Sequence, residues 1–591
     1  MKFRSRPLVR IASLATAVAL TLGACSTAAL PQSADVASAA NTGSLSPATA
    51  DSYTQSTAID DNTLLSPPSA EAALAANAAV SLVDASQWQS SPSGEVVFAG
   101  QTATSQAEGV SVSGTVTTIN QPGVYRLSGD YTGQLVVDAP ADALVVLIFD
   151  NLTIDTSLGS AVEIKSAANA VIVLEGNSNV ADASSYQDSS AANAAIYADT
   201  NLQITGNGGL TVTGRGNDGI TATDDLVIES GSLQVTAVDD ALRGKDSLSL
   251  LGGSVSVKAG GDALKADNDV DTDKGYIHIA GGSLTLTAQG DALTASTDVI
   301  VTGGTVAAST AGGAGNTVAE DASAKGIKAG VYAVVAGGDL HLDAAEDAVH
   351  ADGSIRLSGG RLELSAADDA VHAEAALVLD GADVEVAKSV EGLEAEVVTI
   401  SDGTVSVVSS DDAINGSAST GEVLVEVTGG QVELNSEGDA LDSNGDLFIS
   451  GGSVVAWGPS YDDNGTVDVD GTFAVTGGSL LAAGSAGMAV SPNADGLGWV
   501  SANLLVSAGS EVIISTTAGQ EIARFTAKKA FANLLYAVEE IPVGQQLVIA
   551  VDGVETTVTA GVAAGGMGPA GGPPGAPGGP AGPDGPGGQG Q

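Results

Sequence analysis

A short motif, Asp followed by Ala or Gly and then by Leu, Ile or Val, recurs along this chain at a near-constant interval. Its first copies are Asp218-Gly219-Ile220, Asp240-Ala241-Leu242, Asp262-Ala263-Leu264 and Asp291-Ala292-Leu293. Lys325-Gly326-Ile327, Asp347-Ala348-Val349, Asp369-Ala370-Val371, Glu391-Gly392-Leu393, Asp412-Ala413-Ile414 and Asp439-Ala440-Leu441 continue the series in register. Successive steps are 22, 22, 29, 34, 22, 22, 22, 21 and 27 residues, a period of 22 with occasional insertions. A fixed period of this length marks a solenoid, in which each repeat buries its apolar face against its neighbours. Such a stack grows lengthwise, so 591 residues need not divide into several globular domains.

Glycine pairs punctuate the intervals, at Gly252-Gly253, Gly281-Gly282, Gly303-Gly304, Gly337-Gly338, Gly359-Gly360, Gly429-Gly430, Gly451-Gly452 and Gly477-Gly478. Each separates two short alternating runs, such as Ser247-Leu248-Ser249-Leu250 and Ser254-Val255-Ser256-Val257. Alternation signals strands, and Gly-Gly signals a corner. A leucine-rich repeat has a similar length, but its Leu-x-x-Leu-x-Leu pattern and Asn ladder are missing. The predicted fold class is therefore all-β: a right-handed parallel β-helix whose coils stack about 4.8 Å apart. Aromatic residues at 3% and 77 glycines suit tight turns and small, repeated interior side chains.

The rest of the chain divides around this body. Residues 1–24 read as a lipoprotein signal peptide, with Lys2, Arg4, Arg6 and Arg10 ahead of an apolar run from Ile11 to Leu22. That run is shorter than the ~20 residues needed to span a bilayer. It ends in Leu22-Gly23-Ala24-Cys25, which resembles a bacterial lipobox and makes Cys25 the lipidation site. Cys25 is the sole cysteine, so no disulfide framework exists within the chain. Residues 25–95, rich in Ala, Ser and Thr, read as a linker from the lipid anchor. The β-helix occupies 96–500, a small β cap 501–562, and a disordered Gly/Pro-rich tail 563–591. The expected location is secreted, anchored to the outer face of the cell membrane through lipid alone, and a monomer is expected. With 71 acidic and 20 basic residues the formal charge is −51, which excludes nucleic acid as a partner.

Counting from the motif Asp, the residues two and four later must point inward and those three and five later outward. The outward set includes Arg243 and Lys245, Lys265 and Asp267, Lys328, His350 and Asp352, His372 and Glu374, Glu394 and Glu396, and Asp442 and Asn444. Arg243, Lys245, Lys265, Lys328, His350, His372 and Glu394 are the candidate ligand-binding residues of this strip. A merely solvated face would also be polar, yet two of the four histidines share one column. The motif aspartates themselves stand about 5 Å apart, where neighbours repel by about 3 kcal/mol at an effective dielectric near 20. Capping of backbone N–H groups would offset that cost. So would Ca²⁺ bridging successive coils, since it takes hard oxygen ligands. The candidate metal residues are Asp240 and Asp262 with the loop acids Asp267, Asp269, Asp271 and Asp273. Gly275 falls at the seventh position from Asp269, which excludes an EF-hand. Asp462-Asp463-Asn464 is a weaker acidic candidate.

The segments 239–246, 261–268, 325–329, 369–374 and 391–395, taken together, resemble the clostridial cellulose- and pectin-binding β-helix family. These are carbohydrate-binding domain-containing proteins with a pectate-lyase-like fold, and the resemblance spans roughly residues 110–555. It implies a calcium-containing right-handed β-helix that binds plant-type polysaccharide without a demonstrated catalytic role. The expected function is then a cell-surface carbohydrate-binding lipoprotein for acidic or cellulosic polysaccharide, with Ca²⁺ as cofactor. Trp88, Trp457 and Trp499 are too few and scattered for ring stacking to dominate. Two alternatives stay open. A polysaccharide lyase would draw its base from Arg243, Lys245 or Lys265 beside the Asp267 loop. A structural or adhesive rod would bind no particular glycan.

Overall fold

A computed structural model describes residues 64–564 apart from 90, 92, 188–189, 320–321, 419–420, 461–463 and 494–495. The expected signal peptide, Cys25, the expected linker up to residue 63 and tail from residue 565, and Asp462 and Asp463 lie outside the described residues. The body is a parallel β-solenoid of about 15 turns. Its motif strands run parallel from Val116–Ile119 through Leu242–Gly244 and Val371–Ala373 to Val467–Val469, in a 16-stranded sheet that Val110–Ser113 opens as an antiparallel edge strand. The other two strands of each coil belong to a 28-stranded sheet. In Tyr332–Ala344, Ser354–Ala366 and Ala376–Lys388 they run through the corner as one continuous strand.

The inward ladder is the reason the period is so regular. Ile220, Leu242, Leu264, Leu293, Ile327, Val349, Val371, Leu393, Ile414 and Leu441 are each at most 1% exposed. Burying each such side chain is worth ~1.5–3 kcal/mol, so a register slip that turned the ladder outward would forfeit the sum. The corner glycines answer to two constraints at once. Gly253 and Gly282 have φ of 84° and 89°, a conformation L side chains rarely adopt. A Cβ on either would also lie 2.8 Å from a backbone oxygen of the coil below. A side chain at these corners would therefore push the coils apart.

Two regions depart from the plain stack. The linker expected through residue 95 ends, from Leu64 onward, as a strap laid along the flank of the solenoid. The Leu64 carbonyl accepts from Ser354 Oγ at 2.5 Å, and a short helix, α1 (Ala70–Ala76), packs Ala70 and Ala73 on Ile300 and Val334. Asn77 Nδ2 donates to Asp298 at 2.8 Å, Ser81 N–H to Asp225 at 3.0 Å, and Val83 N–H to Gln203 at 2.8 Å. Val83 and Trp88 then close over Val124, Val146, Ile148, Val171 and Val173. The strap thus descends toward the first coil strand, which begins at Ser93. Its physical cause is a column of apolar residues on the outer side of that sheet, which water would otherwise meet.

At the far end, Phe531–Val538 pairs antiparallel with both Ser479–Gly484 and Trp499–Val506. An antiparallel sheet of Glu511–Thr516, Glu521–Thr526, Gln546–Val551 and Val554–Thr559 follows, with its own core of Val512, Ile514, Leu534, Leu547 and Ile549. Phe531–Val538 thus occupies the edge that Ser479–Gly484 would otherwise present to other chains.

Candidate functional site

Each motif strand sets one polar side chain between two buried residues, and stacking places those side chains in a single file, half-buried except at Thr221 and His350, which are buried. The file runs Thr221, Arg243, Lys265, Thr294, Lys328, His350, His372, Glu394, Asn415, Asp442 and Asp468, each paired with the next across adjacent coils. Six of the seven predicted ligand-binding residues are brought together here, with Thr294 set between Lys265 and Lys328. Lys245 lies outside the file, just past the end of its strand, and is exposed.

Beneath the file runs the ladder of motif carboxylates, whose first task is structural. One oxygen of Asp240, Asp262, Asp291, Asp347, Asp369, Asp412 and Asp439 accepts the backbone N–H of the matching residue a coil later. Asp240 takes Asp262 N–H at 2.9 Å, Asp262 takes Asp291 at 2.8 Å, and Asp291 takes Lys325 at 2.8 Å. Asp347, Asp412 and Asp439 do the same with Asp369, Asp439 and Gly465 at 3.2, 2.6 and 2.6 Å. The second oxygen faces the file residue three positions on. Lys265 Nζ bridges Asp240 and Asp262 at 3.0 and 2.9 Å. His350 Nδ1 lies 2.9 Å from Asp347, which Lys325 also reaches at 2.6 Å. Burial alone would raise the Asp347 carboxyl, but hydrogen bonds and charge from His350 and Lys325 hold it down at about 2. Burial likewise opposes a charged His350, yet its bonds to Asp347 and Asp352 lift the imidazole to about 9.

The six predicted metal residues do not come together. Asp240 and Asp262 share Lys265, and Asp267 is held by Arg243 through contacts of 3.1 and 2.6 Å. Asp269, Asp271 and Asp273 are exposed, and Lys274 stands 3.4 Å from Asp271. The loop is organised instead by Asn268, whose Oδ1 accepts the N–H groups of Val270 and Asp271 at 3.0 Å. Among the described residues no cluster of metal-ligating atoms includes any of the six. Cations of the chain itself reach Asp240, Asp262, Asp267 and Asp271. Burial disfavours the charged forms of Arg243 and Lys265, but the same ion pairs outweigh it and raise both groups.

Farther along, the file changes sign while the motif Asp persists. Asp412, Asp439 and Asp442 bring carboxylate oxygens within 4.8 Å of one another, and Asp468 follows in the file. No Lys or Arg forms an ion pair with them among the described residues. Burial, then mutual repulsion, pushes Asp412 up to about 6, and Asp439 and Asp442 to about 7. Asn415, next to Asp442 in the file, has a buried Oδ1 without a hydrogen-bond partner. Carboxylate oxygens are the hard donors Ca²⁺ takes, and three of them meet here where the loop brings none together. The signal of this cluster lay in the sequence, where Asn415, Asp442 and Asp468 replace the Lys and His of earlier coils. A shallow pocket lined by His372, Glu374, Glu394, Glu396 and Ser417 sits where the sign changes. On another face, Asn177, Asn179, Asn207, Thr211, Ser232 and Gln234 line a second, uncharged one.

Residues 113–370 and 365–520 match the family model of carbohydrate-binding domain-containing proteins. One such protein, from Acetivibrio thermocellus, is 36% identical over 137 residues, covering 22% of this chain and 48% of its own. The chain therefore spans about half the length of that relative. Among solved structures, the polysaccharide lyase-like protein from C. thermocellum, as a gadolinium derivative, is 31% identical with a TM-score of 0.37. That similarity covers 37% of this chain and 92% of the other.

Proposed function

This chain belongs to the carbohydrate-binding domain-containing family, and from that premise we propose that it binds a polysaccharide lengthwise along the outer file of the motif strands. The observation that carries the reading is the unbroken register from Arg243 to Asp468, which offers a polymer one polar side chain per coil. A repeating ligand can engage a repeating surface many times, so weak single contacts add up along its length. With few aromatic rings, and with Trp457 and Trp499 buried, recognition rests on hydrogen bonds and charge.

The polymer in this reading is acidic or cellulosic. A body of charge −51 repels a polyuronate unless a cation stands between them. Asp412, Asp439 and Asp442 would hold Ca²⁺, which supplies positive charge and free positions for sugar oxygens. The Cys25 lipobox supports display on the outer face of the membrane as a monomeric lipoprotein. The test is a glycan array probed with and without Ca²⁺, using the intact chain and Asp442→Asn. Binding of acidic glycans that falls at least about tenfold in chelator and in the variant is expected. Equal binding under all conditions would remove calcium from the reading, and no saturable binding to any glycan would remove the reading itself.

A further inference from the structure

We propose that Asp369, His372 and Glu394 form a site for a divalent transition ion of the zinc class, separate from the all-oxygen cluster farther along the stack. The inference does not depend on glycan binding. One donor atom from each of the three residues lies within 4.8 Å of the others, and two adjacent coils supply them.

The decisive comparison is with His350, one coil earlier. Both ring nitrogens of His350 are engaged, by Asp347 at 2.9 Å and Asp352 at 3.1 Å, and Lys325 completes the charge balance on Asp347. His350 is thus closed off, and the ammonium of Lys325 repels any cation offered to Asp347. His372 has the same neighbours at longer range. Its Nδ1 stands 3.4 Å from Asp369 Oδ2 and its Nε2 3.9 Å from Glu374. Both exceed the upper range of about 3.2 Å for a good N–H···O bond. Two donors each ~2.1 Å from a tetrahedral ion stand ~3.4 Å apart, so the Nδ1–Oδ2 separation is that of co-ligands.

The surroundings agree. Among the described residues, no Lys or Arg forms an ion pair with Asp369, Glu391 or Glu394, which leaves His372 as the basic group beside Asp369. Ser417 Oγ donates to Glu394 Oε1 at 2.7 Å, and Asn415 Nδ2 donates to Glu391 at 2.7 Å, which fixes the carboxylates from outside. The His350 ring packs edge-on against His372 with centroids 5.1 Å apart and limits its tilt. The shallow pocket bordered by His372, Glu374, Glu394 and Glu396 leaves the remaining coordination position open to water. Imidazole distinguishes this site from a calcium site, because zinc, nickel and copper gain from nitrogen ligands and calcium does not.

The experiment uses the full chain without a polyhistidine tag, stripped with chelator and titrated calorimetrically with ZnCl₂ in excess CaCl₂. One zinc equivalent is expected per chain, weakened at least about tenfold by His372→Gln or Glu394→Gln and unchanged by Asp442→Asn. Co²⁺ in place of zinc should give the visible absorption of a four-coordinate ion, lost in both variants. Thermal melts of the variants separate a lost ligand from a lost fold. Zinc binding that survives His372→Gln, or that calcium displaces, would overturn the assignment.

Discussion

Two stretches of one ladder, the coils of Asp240 to Asp347 and those of Asp412 and Asp439, share a motif-strand backbone and differ in the charge beside the motif Asp. In both, a carboxylate oxygen accepts the N–H of the next coil. Three residues later the first stretch has Lys265 or His350 and the second has Asn415 or Asp442. The structural work of the aspartate is therefore independent of what neutralises it. Where the chain supplies its own cation the surface is closed, and where it supplies none the charge remains available to something from outside.

The largest effect should not distinguish the two stretches at all. Leu264→Ala and Leu441→Ala each remove an interior side chain at 0% exposure and should each cost ~2–5 kcal/mol in denaturant unfolding. Clearly unequal losses would mean that the two stretches are not one scaffold.

A swap of aspartate for asparagine should then separate them. Asparagine keeps an oxygen for the N–H of the next coil, so only the charge is lost. Asp347→Asn removes the carboxylate that Lys325 and His350 share, leaving them Glu346 and Asp352, and should destabilise the protein by about 3 kcal/mol at neutral pH. Asp439→Asn relieves repulsion and should be neutral or stabilising in chelator. If both variants moved stability in the same direction, the contrast would be broken.

Calcium should sharpen the comparison by a few degrees of thermal midpoint. Asp412, Asp439 and Asp442 titrate at about 6, 7 and 7 when folded, above the unfolded value of ~3.9. Being raised, they contribute stability below about pH 4 and lose it as pH climbs through 6 to 7. Added Ca²⁺ should restore that loss at pH 8 and do little at pH 5, where protons already hold the site. A midpoint gain that is the same at both pH values would place calcium elsewhere.

How much of this was legible depends on the range of the interaction. The period, the inward Leu and Val column and the file from Arg243 to Glu394 follow from residue spacing alone, because stacking converts sequence intervals into distances. The acids from Asp267 to Asp273 misled for a reason that spacing cannot express. Arg243 comes from the previous coil and Lys274 from the loop's own end, and together with Asn268 they decide that turn. The strap was hidden because residues 64–89 touch many coils but repeat nothing. Its trace was on the partner surface, where Leu144–Phe149 and Ala170–Leu174 are apolar without alternation, the mark of strands covered on both sides.

That strap gives the molecule a mechanical direction. Leu64 meets the solenoid beside Ser354, partway up the stack, whereas Val83 and Trp88 are seated low, over Val146 and Val173. Tension drawn through the chain ahead of Leu64 is therefore a peeling load. It opens the contacts at Ser354, Val334, Asp298 and Gln203 one after another, instead of shearing every coil at once.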